Sequence, residues 1–291
     1  MTPPDDPFPL AIDGANFALL HRDTHLLIID KPAGLAVHPG PKTRDSLEDF
    51  LEILAFGNNR LPVISHRLDR DTSGCLILAR HPKAVRRVAA LFEAGAIRKV
   101  YWAVLDTLPD ADSGTIDAPL HKISSAEAGW RMVIDARGKR AVTHWQVIDR
   151  PARLVEFRPE TGRTHQLRVH AASMGHPIIG DPVYGAGKGP MRLHARSLTL
   201  PYDDAAPLTV TAALPKDWPS QALFATANIA NTVIPGLTRD PASSAGAASK
   251  LGPGQARDDE NEFTARVVET RHSDHNCPTV PPAGRGPVPP Q

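Results

Sequence analysis

The stretch HRLDRDTSGCLILA, residues 66–79, decides how the rest of the chain is organised. Its second half, Cys75–Ala79, is a short apolar run of the kind that forms a buried strand. Its first half is crowded with charged side chains, and the sequence DTSG at 71–74 favours a turn, because its polar side chains bond local backbone and its glycine accepts positive φ. Charged groups held rigidly at the edge of a buried strand are typical of an active site.

The order of residues within HRLD gives this cluster a direction. In an extended backbone, alternate side chains lie on opposite faces, so Arg67 and Asp69 would share one face and His66 and Leu68 the other. A carboxylate beside a fixed guanidinium stays ionised, which makes Asp69 a candidate nucleophile or base. A surface turn with solvated ion pairs is the alternative that the spacing leaves open.

A second polar block, TGRTHQLRVH, spans residues 161–170. The pattern predicts a helix over Thr164–Met174, with Arg163 ahead of it and Arg168 on the same face as Thr164. A helix start flanked by glycine and arginine suits a phosphate, because its free N–H groups and its dipole attract anions. For any single residue of this block, solvation of a helix face is the alternative.

A third block, RKVYWAV at 98–104, alternates like a strand and places Lys99 and Tyr101 on one face. Tyr101 is a candidate platform on which a base could stack, although a tyrosine in a strand also serves simple packing. A local basic strip lies in and before this block, with Glu93 as its one counter-charge, and favours either RNA contact or a solvated helix face. The strip consists of Arg80, Lys83, Arg86, Arg87, Arg98 and Lys99.

Neither a metal site nor a disulfide is expected. The histidines at 165, 170 and 176 do not have the i, i+4 spacing of helical zinc ligands. The two cysteines, Cys75 and Cys277, are too few and too scattered for a zinc cluster or a disulfide framework.

The remaining periodicity predicts an α+β fold with a mixed, largely antiparallel sheet flanked by helices, since strands come in runs rather than in strict alternation with helices. Two further helices are predicted, an amphipathic one at 46–56 capped by Ser46 and one at Pro82–Ala94. Besides Cys75–Ala79, strands are predicted at 26–30, 35–40, 99–105, 131–135, 141–149, 154–158, 191–200 and 208–211.

Composition limits the class of protein. In 291 residues, 41% are hydrophobic and 22% charged, which is ordinary globular usage and argues against a membrane bundle or a wholly disordered chain. The net charge of +1 neither favours nor excludes nucleic acid. Without a signal peptide or an apolar span of about 20 residues, we expect a soluble, cytoplasmic monomer that does not bind membranes.

Composition also divides the chain. From residue 231 onward Gly, Pro, Ser and mixed charge dominate, and such a segment buries too little apolar surface to offset its ordering entropy. We therefore expect a flexible N-terminus at 1–14, one catalytic domain at 15–225 and a disordered tail at 231–291 that catalysis does not need.

Taken in order, these blocks resemble the RluA branch of the RNA pseudouridine synthases. The matching stretches are DKPAGLAVHPG at 30–40, HRLDRDTSGCLILA at 66–79, RKVYWAVL at 98–105, TGRTHQLRVHAASMGHPIIGDPVYG at 161–185 and LHARSLTL at 193–200. The resemblance covers about residues 20–215. Only 25 residues precede LLIIDKP at 26–32, so the small N-terminal RNA-binding module of many relatives is not expected.

The resemblance implies both an activity and roles for single residues. It implies the isomerisation of uridine to pseudouridine in structured RNA, ribosomal or transfer, without a cofactor. Asp69 would be the catalytic residue, Arg168 its partner, Tyr101 the residue that stacks on the target uracil, and Arg67 the residue that helps to expose and hold the nucleotide. Further substrate contacts are expected from the same motifs, at His66, Arg163, Thr164 and His165.

Two other classes of protein remain as alternatives. DRDTS at 69–73 approximates the D-x-D-x-T motif of magnesium-dependent aspartyl phosphatases, but Ser73 stands where that motif has threonine and no buried strand precedes it. A non-catalytic RNA-binding module with the same fold would explain the basic strip, but not the intact Asp69.

Overall fold

A computed structural model describes residues 10–11, 17–40, 43, 45–125, 129–202 and 206–218. The predicted tail at 231–291 lies outside these residues, as does most of the predicted flexible segment 1–14, in which Leu10–Ala11 pairs with the following strand. In the described ranges no helix is long and apolar enough to cross a membrane.

Strands dominate the described residues. In chain order they are β1 (Leu10–Ala11), β2 (Ala18–Arg22), β3 (Leu26–Lys31), β4 (Val63–Ile64), β5 (Ser73–Ala79), β6 (Arg98–Val104), β7 (Ser113–Asp117), β8 (Leu120–Ser125), β9 (Gly129–Ile134), β10 (Val142–Asp149), β11 (Leu154–Pro159), β12 (Leu193–Leu200) and β13 (Leu208–Thr211). The helices are a 3₁₀ turn at Leu47–Phe50, α1 (Leu51–Leu54), α2 (Pro82–Glu93) and α3 (Gln166–Ser173).

Most of these strands form one sheet. Its order is β1-β2-β3-β5-β12-β6-β11-β10-β7, with β13 paired to β12 and β4 to β5. Every pairing within it is antiparallel except that of β12 with β5. Strands β8 and β9 form a separate two-stranded hairpin. The predicted α+β class with a mixed, largely antiparallel sheet is confirmed.

Each face of the sheet has its own core. On one face, buried leucines of β3 and β5 pack with Leu47, Leu54 and Leu68. On the other, Ile28 and Ile77 pack against α2. Further along the sheet, α3 packs against the β6 and β11 side chains on the face that Tyr101 occupies, and its contacts include Leu167 and Ala171. The result is a central sheet with α3 and the HRLD loop on the same side.

β12 joins the two halves of the sheet, and its contact with β5 is close. Gly74 has a φ of +108°, and a Cβ built on it would lie 2.3 Å from the carbonyl oxygen of Ala195. Only glycine avoids this clash, because any side chain here would meet the backbone of the neighbouring strand. The glycine of DTSG therefore fixes where the strand after Asp69 meets β12.

Three local predictions need correction. Residues 35–40 do not form a strand, because only a single bridge from Ala36 to Ser46 pairs this segment. The helix predicted at 46–56 is shorter and begins as a 3₁₀ turn. The third helix begins at Gln166 rather than Thr164, because His165 has a left-handed φ of 53°, which interrupts the helix before that point. The predicted strands at 26–30, 75–79, 99–105, 131–135, 141–149, 154–158, 191–200 and 208–211 are confirmed to within about two residues at each end.

Candidate active site

The HRLD, RKVYWAV and TGRTHQLRVH blocks meet at one cavity of about 120 Å³. Its lining includes seven of the eight residues expected at the site, namely Arg67, Asp69, Tyr101, Arg163, Thr164, His165 and Arg168. Lys99 also lines it.

Asp69 lies in an irregular loop, and its side chain is only 19% exposed. Arg168 Nη1 donates a hydrogen bond to Asp69 Oδ2 at 3.1 Å. The same guanidinium binds Asp181 through two parallel hydrogen bonds, from Nε at 2.7 Å and from Nη2 at 2.8 Å. Arg168 is therefore clamped on one side and orients Asp69 with its remaining nitrogen.

The Arg168–Asp181 pair is held in its charged form. Asp181 is fully buried, which by itself raises the pKa of its carboxyl, but the hydrogen bonds from Arg168 and from the backbone N–H groups of Val183 and Tyr184 hold that pKa below its usual range. Burial lowers the pKa of Arg168, yet Asp181 and Asp69 together raise it above its ordinary value. The geometry around Asp69 thus rests on a fixed, buried charge pair.

Lys31 holds the backbone of the Asp69 loop in place through hydrogen bonds. This lysine is fully buried, and its ammonium group donates to three carbonyl oxygens, those of Pro32 at 2.8 Å, Leu35 at 2.8 Å and Arg70 at 3.0 Å. Burial lowers its pKa to about 8. Because Arg70 follows Asp69 directly, this contact links the DKPAG turn to the position of the carboxylate.

His165 is packed into an aromatic cluster beside Asp69. Its Nδ1 lies 2.9 Å from the hydroxyl of Tyr184, and its Nε2 lies 3.8 Å from Asp69 Oδ2. Trp130 on β9 stacks on the imidazole, with ring centroids 5.0 Å apart. Burial lowers the pKa of His165, so the ring is neutral at physiological pH. The β8–β9 hairpin therefore closes one side of the site.

Tyr101 is on the face of β6 that the alternation predicted. Its ring packs against both hydrophobic cores that meet at the cavity. Burial, reinforced by the charge of Asp69, raises the pKa of its hydroxyl above the usual range. The phenol is therefore neutral at physiological pH and presents an aromatic surface rather than a base.

His66 is the one predicted site residue that the structure places away from the cavity. Its Nε2 accepts a hydrogen bond from the Ile77 N–H at 2.9 Å, and its ring packs on Phe92 of α2. Burial lowers its pKa to about 3. Arg67 and Asp69 line the cavity, but so does Leu68, which is also buried in the core, so the division of HRLD into two faces stays a prediction.

Three other residues of the site were missed by the sequence interpretation. Asp181 and Lys31 stood in the quoted GDPVYG and DKPAG blocks, but no spacing rule indicated their contacts. Gln166 ties down the 161–166 loop: its Oε1 accepts from the Thr161 hydroxyl at 2.8 Å and from the Arg163 N–H at 3.0 Å. A polar residue inside a motif indicates that its side chain forms structural hydrogen bonds, but the sequence does not show with which residue.

The phosphatase alternative predicts that Asp71 acts together with Asp69. Instead, Asp71 Oδ1 lies 3.0 Å from Nε of its neighbour Arg70. Within the described ranges, no three His, Cys, Asp or Glu side chains are grouped so that they could hold a metal ion.

The comparisons with known proteins give this site its context. A family model described as RNA pseudouridylate synthase matches residues 25–173. An uncharacterised RNA pseudouridine synthase of Zymomonas mobilis is 53% identical over 205 residues, which are 68% of this chain and 94% of the relative. Ribosomal large subunit pseudouridine synthase D of the same organism is 42% identical over 58% of this chain, and this match spans 56% of that relative.

A solved structure of a protein with this family name has a similar fold. Human RNA pseudouridylate synthase domain containing 4 superposes with a TM-score of 0.57 at 30% identity, over 68% of this chain and 88% of its own. Fold, site and relatives define an RNA-modifying isomerase. The chain belongs to the RNA pseudouridylate synthase family, and its resemblance to the RluA branch is confirmed.

Proposed function

We propose that this chain isomerises uridine to pseudouridine in structured ribosomal RNA, with Asp69 as the catalytic residue. The observation that carries the proposal is the Asp69 carboxylate, which lines the cavity and accepts a hydrogen bond from a clamped Arg168. The name of the Zymomonas mobilis relative, ribosomal large subunit pseudouridine synthase D, supports ribosomal RNA as the substrate class.

The reaction needs one ionised carboxylate and a place for the uracil to turn. The bond from C1′ to N1 breaks, the base rotates, and C5 bonds to C1′, while N1 gains a proton and C5 loses one. Asp69 serves either as the nucleophile or as the base that removes a sugar proton, and both roles need its charge. Arg168 supplies that charge with a fixed partner.

The base must leave its stack before the enzyme can reach it. Extrusion costs a few kcal/mol and less in loops, so exposed uridines of folded RNA are the favoured targets. Tyr101 offers a neutral ring on which the uracil stacks. The side chain of Arg67, in the HRLD motif, is exposed at the cavity and contacts the nucleotide. Arg163, Thr164 and His165 complete the substrate contacts around the cavity.

The decisive experiment maps pseudouridine in RNA from cells with and without the gene. The deletion strain is complemented with wild type, with Asp69→Asn and with the matched control Asp71→Asn, whose carboxylate faces Arg70. We expect one or a few ribosomal sites to disappear on deletion and to return with wild type and Asp71→Asn, but not with Asp69→Asn. Sites that are lost only from transfer RNA would contradict the ribosomal substrate, and full rescue by Asp69→Asn would move the chemistry to another residue.

A further inference from the structure

Lys99 stands in the cavity without an assigned role. It shares a face of β6 with Tyr101, and its Nζ donates a long hydrogen bond of 3.3 Å to the carbonyl oxygen of Thr161. That carbonyl belongs to the loop that Gln166 holds in place. Arg163 projects from the same loop, and its Nε donates to the Arg140 carbonyl oxygen at 3.1 Å. One cation, Lys99, is therefore hydrogen-bonded to the fixed loop from which the other, Arg163, projects.

The charges around the cavity are unbalanced at this point. The charge of Arg168 is paired with the carboxylates of Asp181 and Asp69. Among the ion pairs formed by the described residues, none includes Lys99 or Arg163. Burial, and after it the charge of Arg163, lowers the pKa of Lys99 to about 8. The two cations therefore repel each other in the free protein.

We propose that Lys99 and Arg163 together bind one phosphate group of the RNA backbone beside the target uridine. Uracil and ribose are neutral, so the phosphodiester is the only part of the substrate whose negative charge can pair with the two cations. A phosphate oxygen accepts hydrogen bonds from ammonium and guanidinium groups alike and removes their repulsion. The assignment rests on the proposed function only in taking RNA as the ligand.

The first test measures RNA affinity and its salt dependence. The probe is a fluorescently labelled RNA hairpin with a loop of uridines, titrated with the full chain at several salt concentrations. Lys99→Met should weaken binding about tenfold, because one charge-assisted contact is lost. The slope of log K against log salt should become shallower by about 0.7 to 0.9, the contribution of one neutralised phosphate.

The matched control is Lys216→Met. Lys216 is exposed and precedes Trp218, which packs on Trp102 at the face of β6 opposite to Lys99. Its removal should leave both the affinity and the salt slope unchanged.

The second test uses pH and separates Lys99 from Lys31, whose pKa is also about 8. Affinity of wild type should fall several-fold between about pH 7 and about pH 9, as Lys99 loses its proton. Lys99→Arg should restore the wild-type salt slope and abolish this fall, because a guanidinium stays charged. If Lys31 caused the fall, it would persist in Lys99→Arg.

Three other titratable groups near Lys99, those of His66, His165 and Tyr101, keep the same protonation state between about pH 7 and about pH 9. Burial lowers the pKa of His66 to about 3, burial lowers that of His165, and burial raises that of Tyr101 above its usual range. The remaining charged side chains around the cavity are Arg67, Asp69, Arg163 and Arg168.

An unchanged affinity and salt slope in Lys99→Met would overturn the subsite, as would a pH dependence that Lys99→Arg leaves intact. Both tests read binding rather than turnover. Failure of the proposed function would appear instead as pseudouridine formation that survives Asp69→Asn, so the two failures are distinguishable.

Discussion

The two sides of the cavity hold their positive charges in different ways. On the side of α3, Arg168 makes two hydrogen bonds to the buried Asp181 and one to Asp69. On the side of β6, Lys99 and Arg163 have only carbonyl acceptors within the described structure. A cation with a buried carboxylate is fixed in place, whereas a cation without one is available to a ligand. The comparison separates residues that position the carboxylate from the residues proposed to bind RNA.

Removing Asp181 should have the largest effect. Asp181→Ala leaves the Arg168 charge buried without its main partner, so we expect the free energy of unfolding to fall by about 3–5 kcal/mol. The control is Asp112→Ala, which breaks the exposed pair with Arg150 and should cost less than about 1 kcal/mol. Urea denaturation of both variants measures the difference, and equal losses would contradict the distinction between the two sides.

Exchanging arginine for lysine should affect the two sides unequally. Arg168→Lys cannot bind Asp181 through two bonds and Asp69 through a third, so Asp69 is displaced and kcat should fall about 100-fold. Arg163→Lys keeps a charge at the phosphate and should act mainly on KM. Steady-state kinetics of pseudouridine formation separates the two effects. A fall of kcat in Arg163→Lys as large as that in Arg168→Lys would remove the contrast.

The smallest effect concerns Asp30, an acid without an ion pair in the described part of the chain. Burial raises its pKa to about 6, although Arg196 and Lys31 oppose the shift. Because the folded form then holds a proton that the unfolded form has released, wild type should lose stability relative to Asp30→Asn as pH rises from about 4 to about 6, by up to about 2 kcal/mol. Denaturation curves of both proteins across this range give the difference, and a constant difference would contradict the shift.

Much of this site could be predicted from sequence, because its motifs are local. Period-two alternation placed Asp69 with Arg67, and Tyr101 on the side opposite Trp102, without any knowledge of the fold. The Asp69–Arg168 contact joins residues 99 positions apart, and the family resemblance rather than any spacing indicated it.

What sequence could not supply was the partner of each buried polar group. Nothing in GDPVYG indicates that Asp181 reaches back to Arg168, and nothing in DKPAG indicates that Lys31 binds the carbonyl of Arg70. His66 was assigned to the substrate because it belongs to the motif, yet its ring serves the packing of β5 and α2. Residues 35–40 looked like a strand because the apolar run Leu35–Val37 is soon followed by Pro-Gly, which ends strands, but a strand also needs a neighbour along its length.

The place of β12 in the sheet sets when this enzyme can become active during its synthesis. β12 lies between β5, which follows the Asp69 loop, and β6, on which α3 packs. Its buried His194 bonds Ser73 across 121 residues of chain. Contacts of such long range form slowly, because the chain between them must first be closed into a loop. A ribosome that has made everything up to α3 has therefore produced Asp69, Tyr101 and Arg168, but neither Asp181 nor Leu193, and the cavity forms only when residues 193–200 have emerged and inserted.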